Sequence, residues 1–403
     1  MAPADVAIVS PYPGLRPRAP LPSGVAAYTA RLADALVDVG VDVRVVAPVM
    51  EEEPELTHKD GVTIERRYRP GASALPVAVR AARRAGPAVV HLQHEMFLFG
   101  GAASMPGLVP AMATLRRRGL GPVVTMHQVV DPNDIDGDFT RLHRVRVPAR
   151  VARAGMAGVQ RSVRTLAAAT VVHEESFGEI VPDAVVVPHG LDPVEPPLPS
   201  TTAKRALGMS GDRLGVLCFG FLSPYKGLEA VLDAAEIAGR RVELIMAGGE
   251  HPRLEGRDGY ADWLRRRYGH VARFTGFVPE AELDTVFGAV DVMVLPYPRP
   301  FATSGPLSHA LGYGTPVLCS PALAACVGAP EEMVAPIDPP GLARRLIDLQ
   351  REPARLESLA AASHAMAAER TWERVARRHV ALYEEVIDAD RLAGRRLRAG
   401  QPG

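Results

Sequence analysis

The sequence has little lysine, cysteine or aromatic residue, and it has no net charge. Its 403 residues include 46 basic and 46 acidic side chains, and 5% of them are aromatic. Balanced charge provides no general attraction to nucleic acid, so we expect no nucleic-acid partner. Cys218, Cys319 and Cys326 are too scattered for a disulfide framework or a structural metal site.

Long hydrophobic runs are also missing. No stretch approaches the ~20 apolar residues of a membrane span, and only the short run Val6–Val9 follows Asp5 near the start. We therefore expect a soluble cytoplasmic protein. A length of 403 residues with 47% hydrophobic content is enough for two buried cores, so two globular domains are expected.

Short apolar runs alternate with helical stretches, a pattern typical of parallel sheets covered on both faces. Between the first runs, Ser23 can cap a helix that continues to Val37. The predicted strands of the first half are Val6–Val9, Val41–Val46, Ala88–Leu92, Val123–Met126, Thr170–Val172 and Ala184–Val187. Those of the second half are Leu214–Phe219, Val242–Met246, Ala272–Thr275, Asp291–Leu295 and Pro316–Leu318, with helices near Leu228–Ile237, Glu280–Ala289 and Pro340–Leu349.

The proline-rich stretch Asp192–Pro199 separates the two halves and is typical of a stiff linker. We expect a first α/β domain over residues 1–190 and a second over 191–370. A helix over 371–390 and a polar tail over 391–403 complete the expected organisation.

One segment of the second half suggests an anion site. After an apolar strand, Ser304 and Gly305 stand where the N–H groups at a helix start are unpaired and face the positive end of the helix dipole. This position favours a phosphorylated ligand. An ordinary Ser-capped helix with Pro306 in its first turn explains the same residues equally well.

The sequence contains three lysines, Lys59, Lys204 and Lys226. Because lysine is so rare in this chain, each one is a candidate for a specific role. Lys59 and Lys204 lie in polar stretches that we predict to be loops. Lys226 follows the strand Leu214–Phe219 within Gly220–Gly227, a place where a compact ammonium suits a phosphate. A solvated loop lysine is the alternative.

The ordered set of motifs resembles the retaining glycosyltransferases of family 4, which have the GT-B fold. The resemblance implies two Rossmann-like, doubly wound parallel-sheet domains facing a central cleft. It is carried across nearly the whole chain by Ser23-Gly-Val25, Val89–Glu95, Val123–His127, Val187–Asp192, Gly220–Gly227, Phe274–Pro279, Val294–Tyr297 and Ala310–Val317, and by Trp372–Val386, which is similar to the family's terminal helix that crosses back to the first domain.

By this resemblance, the enzyme is a metal-independent hexosyltransferase that needs no cofactor. Its donor is a nucleotide-diphosphate sugar, UDP- or GDP-linked, and its acceptor is a small molecule, glycan or lipid. The resemblance assigns catalytic roles to Gly24, His127 and Lys226, donor binding to Gly220, Lys226, Gly248, Phe277, Val278, Ser304, Gly305, Pro306, Leu307 and His309, and the acceptor side to Ser23, His94 and Glu95. Anomeric configuration is retained by front-face displacement, in which the leaving phosphate helps to take the acceptor proton.

Departures from the family pattern fall in the donor loop. Phe301 and His309 stand where family members commonly carry glutamates, and Phe221 replaces a frequent arginine. A neutral imidazole at His309 can share in holding the ribose hydroxyls because it has one acceptor nitrogen. A catalytically silent sugar-nucleotide-binding protein, or a pseudo-glycosyltransferase that forms an unusual linkage, remains the alternative.

Three further features of the sequence each have two interpretations. His94 and Glu95 are adjacent at a strand end, so only one of them is expected to face a ligand, and His94 is favoured. Asp134, Asp136 and Asp138 imitate a metal-binding pattern, but a solvated acidic loop is the preferred interpretation and no metal is expected. The arginines between Arg141 and Arg153 suit either a solvated helix face or a peripheral membrane contact.

Overall fold

The computed structural model describes residues 5–16, 23–51, 53–95, 98–101, 104–142, 145, 147–192, 194, 200–250, 259–299 and 304–399. The chain divides into two compact units. The first contains the chain up to Gly190 and again from Trp372, and the second contains the described residues from Leu191 to Thr371. Phe301 and most of the expected linker, Pro193 and 195–199, lie outside the described residues.

The first unit is built on an eight-stranded sheet with the order β3-β4-β2-β1-β5-β6-β7-β8. All neighbouring strands are parallel except the β3–β4 pair. The strands are β1 Val6–Val9, β2 Val43–Pro48, β3 Leu56–Lys59, β4 Val62–Tyr68, β5 Val89–His94, β6 Val123–Met126, β7 Ala169–Val172 and β8 Val185–Val186. Its central strands are continuous apolar runs because both of their faces are buried.

Helices cover this sheet. They are α1 Gly24–Asp38, α2 Ala74–Arg84, α3 Leu108–Arg116, α4 Gly137–Leu142, α5 Ala149–Leu166 and α6 Glu175–Ile180. Ser23 caps α1 as expected, since its hydroxyl accepts the Ala26 N–H at 3.2 Å. Leu32 and Leu36 of α1 pack in one core with Ile8 of β1 and with Val375 and Tyr383 of the carboxyl-terminal helix.

The second unit has a five-stranded parallel sheet with the order β11-β10-β9-β12-β13. Its strands are β9 Leu214–Phe219, β10 Val242–Ala247, β11 Ala272–Gly276, β12 Val292–Leu295 and β13 Val317–Cys319. Its helices are α7 Ser200–Ala206, α8 Leu228–Ala238, α9 Tyr260–Tyr268, α10 Leu283–Gly288, α11 Gly305–Gly312, α12 Pro321–Val327, α13 Pro339–Arg351 and α14 Pro353–Ala368, and the carboxyl-terminal helix is α15, Trp372–Ala399. Two doubly wound α/β units confirm the predicted fold class.

Two local predictions were wrong. Lys204 is not in a loop: it lies on α7, is buried, and pairs with Asp291 at 2.8 Å, so it ties this helix to the start of β12. The residues after 390 are not a tail from their first position, because α15 continues to Ala399. Arginine and alanine are good helix formers, which allows the helix to continue beyond its last buried turn.

The described residues contain neither a membrane-spanning helix nor a cluster of metal-ligating side chains. None of the helices there is both long and apolar enough to cross a membrane. No group of three or more His, Cys, Asp or Glu side chains in those ranges is placed to hold a metal ion.

Candidate active site

The second unit places Lys226 at the end of a buried strand. After β9, the chain turns through the short 3-10 helix Pro224–Lys226, and Gly227 follows with φ of 65°. A Cβ on Gly220 would lie 3.0 Å from Lys226 Nζ and 3.1 Å from Pro306 Cγ. The end of β9, the lysine and the first turn of α11 therefore converge on one point.

The ammonium of Lys226 is buried with little to neutralise it. Its side chain is 4% exposed, and no described side chain or carbonyl pairs with Nζ or hydrogen-bonds to it. Its nearest stabilising contact is the ring of Tyr297, whose centroid lies 5.8 Å away. Burial lowers the pKa of Lys226 to about 8, an effect that Cys218 opposes. At neutral pH the group is still a cation, so the site favours an anion.

The start of α11 supplies a second feature for an anion. The Ser304 hydroxyl accepts the Leu307 N–H at 3.3 Å, so the ordinary helix cap is present. Pro306 has no N–H, which leaves the Gly305 N–H as the first-turn donor without an acceptor inside the helix. The cap and an anion-binding role are therefore compatible, and the helix dipole adds positive potential at the same end.

Glycine is required where two loops of this unit meet. Gly248 has φ of 157°, and a Cβ there would overlap the carbonyl oxygen of Gly220. The loop after β10 is thereby held against the loop after β9. Phe277, which follows β11, is 77% exposed, whereas Val278 is buried.

His309 lies one turn into α11, and its side chain is exposed. The ring edge contacts Phe219 at the end of β9, with ring centroids 5.4 Å apart. This position leaves the imidazole available to a ligand beside that strand end. Leu307 points the other way, into the core, and is 1% exposed.

In the first unit, His127 directly follows β6 and lies in a polar network. Its Nε2 is 2.6 Å from the amide oxygen of Gln93, and its Nδ1 is 3.1 Å from Nε2 of His173. The ring of Tyr28 stands edge-on to it at 4.8 Å. Burial and the neighbouring His173 hold the pKa of His127 well below its usual range, so the ring is neutral at pH 7.

The other first-unit candidates differ in their surroundings. Gly24 begins α1, and a Cβ there would meet no atom within 4 Å, so its backbone faces open space. His94 is 5% exposed, and neither of its ring nitrogens has a hydrogen-bond partner among the described atoms. Burial lowers the pKa of His94 to about 4. Glu95 is only half-buried.

Sequence reasoning found the strand ends but missed some of their neighbours. The structure brings Gly220, Lys226, Gly248 and Pro306 together in one unit. Tyr297, beneath the lysine, and His173, beside His127, were not singled out. His173 directly follows β7 as His127 follows β6, and this repeated strand-then-histidine pattern was the signal that could have found it.

Comparison with known proteins gives this geometry a family context. Residues 22–195 match the sequence model described as Glycosyltransferase Family 4. This part of the chain is therefore similar in sequence to the family 4 glycosyltransferases. No curated protein sequence matches it.

Similar solved structures support the glycosyltransferase fold along the whole chain. Sucrose-phosphate synthase from Thermosynechococcus elongatus has a TM-score of 0.68 and 19% identity, covering 95% of this chain and 99% of that one. Anabaena HepE in complex with UDP also has a TM-score of 0.68, with 14% identity and coverage of 94% and 100%. Starch synthase IV from Arabidopsis thaliana, bound to ADP and acarbose, has a TM-score of 0.60, with 13% identity and coverage of 95% and 99%.

Proposed function

We propose that this protein is a glycosyltransferase that transfers a sugar from a nucleotide-diphosphate sugar, and that its second unit holds the diphosphate. The observation that carries the proposal is the buried ammonium of Lys226 beside the start of α11, which among the described residues has the Tyr297 ring as its stabilising contact. Burying a cation is costly unless a partner neutralises it. A bound diphosphate provides that partner.

The surroundings of Lys226 favour a diphosphate over a single carboxylate. Lys226 supplies a point charge, and Gly305 offers a backbone N–H at a positive helix end. Gly220 lies beside the ammonium without a side chain that would crowd it, and Gly248 lets the loop after β10 pack against Gly220. UDP is the first nucleotide to test, since the similar HepE structure contains UDP.

We propose that the reaction retains anomeric configuration by front-face displacement. Negative charge grows on the donor phosphate as the glycosidic bond breaks, and Lys226 stabilises that charge more strongly in the transition state than in the ground state. The same phosphate accepts the proton of the acceptor hydroxyl. This role for Lys226 requires no metal ion at the diphosphate.

A specific residue favours the catalytically silent alternative. His309 stands where family members commonly carry a glutamate, and an imidazole cannot accept hydrogen bonds as a carboxylate does. A silent protein would bind the donor without breaking it. Hydrolysis of the bound donor in the absence of acceptor therefore separates the two functions.

Isothermal titration of UDP, GDP and ADP into the purified protein tests the proposal. Lys226→Met removes the charge while preserving the length of the side chain, and Lys59→Met is the matched control because Lys59 is an exposed lysine at the end of β3. We expect Lys226→Met to weaken the tightest nucleotide by about 10–100-fold, the value of a hydrogen bond to a charged group. We expect Lys59→Met to leave the affinity unchanged. Equal affinities for wild type and Lys226→Met, or no binding by wild type at millimolar nucleotide, would contradict the proposal.

A further inference from the structure

The first unit contains a continuous chain of hydrogen-bonded polar side chains that ends at His127 and His173. The Tyr383 hydroxyl lies 2.7 Å from His91 Nδ1, and His91 Nε2 lies 3.3 Å from the amide nitrogen of Gln93. The amide oxygen of Gln93 then reaches His127, which reaches His173. All but His127 are almost completely buried.

One end of this chain fixes the direction of its protons. The Nδ1 of His173 lies 2.9 Å from the carbonyl oxygen of Val187, and a carbonyl can only accept. Nδ1 of His173 therefore carries a proton. In a neutral ring Nε2 is then bare, so His127 must donate from its Nδ1.

The same logic sets the amide of Gln93. A neutral His127 that is protonated on Nδ1 has a bare Nε2, which needs a donor at 2.6 Å. A half-turn of the Gln93 amide supplies its NH2 group there, and such a turn exchanges two nearly indistinguishable atoms. The amide oxygen then faces His91 Nε2.

The remaining members agree with this arrangement. The single proton on His91 Nε2 is shared between two acceptors, the Thr125 hydroxyl at 2.7 Å and the Gln93 oxygen at 3.3 Å. Its bare Nδ1 accepts from Tyr383. Every ring nitrogen of His91 and His127 then has a partner of the right kind, and no group is charged.

The opposite amide orientation requires a charge. If the Gln93 oxygen faces His127, then Nε2 of His127 must carry a proton, and either His127 or His173 becomes an imidazolium. A buried imidazolium is costly, and burial already lowers the pKa of both His91 and His127 well below the usual range. The neutral arrangement is the one that the burial favours.

We propose that Gln93 and His173 are positioning residues that hold His127 as the neutral Nδ1–H tautomer, with its Nε2 occupied by the Gln93 amide. The inference rests on the proposed function for its chemical meaning. Because the lone pair on Nε2 already accepts from the Gln93 amide, the imidazole of His127 has no free lone pair to take the proton of an acceptor hydroxyl. The proton must go elsewhere, which agrees with its transfer to the leaving phosphate.

Nitrogen-15 NMR of histidine-labelled protein at pH 7 measures this tautomer directly. The His127 resonances are those missing from the spectrum of His127→Gln. In wild-type protein we expect a protonated Nδ1 and a bare Nε2. A protonated Nε2, or two protonated nitrogens, would overturn the proposal without need of any other variant.

Gln93→Glu provides the second arm, because a carboxylate can only accept and makes His127 carry a proton on Nε2. We expect both nitrogens of His127 to be protonated at pH 7 in this variant. Gln160→Glu is the matched control, since Gln160 is also a buried glutamine of the first unit but donates to Val130. The control should leave the His127 signals unchanged, and a Gln93→Glu protein with wild-type His127 signals would refute the role of Gln93.

These spectra are recorded without nucleotide, so they do not depend on donor binding. A protein with the expected tautomer that binds no nucleotide would refute the proposed function and leave the network intact. A protein that binds nucleotide but has the other tautomer would refute only this inference.

Discussion

Replacing Lys226 by methionine should stabilise the unliganded second unit. Burial lowers the pKa of Lys226 from its ordinary value of 10.5 to about 8. At about 1.4 kcal/mol per pH unit, this difference corresponds to a cost of about 3 kcal/mol for keeping the ammonium folded at pH 7. The variant also loses the cation–π contact with Tyr297, and this loss lowers its free energy of unfolding by about 0.5–1 kcal/mol. We therefore expect Lys226→Met to raise the free energy of unfolding by about 2–3 kcal/mol.

The pH dependence gives this prediction a definite sign. Since the folded pKa lies below the unfolded one, the unfolded chain binds more protons between about pH 8 and 10.5. The stability of wild type should rise with pH in this window. Below pH 8, the free energy of unfolding of Lys226→Met should exceed that of wild type by the full amount. By pH 10 this difference should fall below about 1 kcal/mol.

Tryptophan fluorescence can follow the second unit alone. The chain has two tryptophans, Trp263 on α9 of the second unit and Trp372 on α15 of the first. In a Trp372→Phe background, urea unfolding monitored by Trp263 reports on the second unit, and Lys59→Met should change it by less than about 0.5 kcal/mol. A Lys226→Met protein that is less stable than its parent, or a gain in stability that does not depend on pH, would refute the interpretation of Lys226 as a buried cation without an ionic partner among the described residues.

Three further substitutions test other contacts. Lys204→Met should lower the free energy of unfolding of the second unit by about 3 kcal/mol, because it leaves the Asp291 carboxylate without its cation. Urea unfolding measures this change, and a value below about 1 kcal/mol would mean that water solvates Asp291 in place of the lysine. Gly190→Ala should cost the first unit about 1–3 kcal/mol, because its Cβ would overlap the Trp372 ring. Urea unfolding followed by the fluorescence of Trp372 in a Trp263→Phe background measures this change, and wild-type stability would show that the ring moves freely. His309→Ala should weaken nucleotide binding about fivefold by calorimetry, the loss of one hydrogen bond to ribose, whereas unchanged affinity would place the ring outside the site.

The parallel strands were readable from sequence because burial on both faces leaves a continuous apolar run. β1, β6 and β9 were predicted to the residue, and the limits of the other predicted strands differ by one or two positions. The β3–β4 hairpin was not predicted, because Leu56–Lys59 is largely exposed and contains no continuous apolar run. Its turn did carry a signal: Asp60 and Gly61 both have positive φ, as the Asp-Gly pair of a tight hairpin favours.

Site residues that come directly after a strand could be predicted from the sequence. Contacts between residues that are far apart in the sequence could not. Lys226 and His127 could be identified because each follows a buried strand closely. The partner of Lys204 could not, since Asp291 is 87 residues away and nothing local distinguishes a paired lysine from a solvated one. The His91–Tyr383 contact joins residues 292 positions apart, so only the folded chain could reveal it.

The anomeric configuration of the sugar released from the donor tests both donor cleavage and retention of configuration. Proton NMR of the protein mixed with a UDP-linked α-sugar resolves the anomer released before the free sugar equilibrates. We expect donor cleavage with the α anomer formed first, and a turnover about 10²–10³-fold lower in Lys226→Met at saturating donor. A bound donor that stays intact, or a β anomer released first, would contradict it.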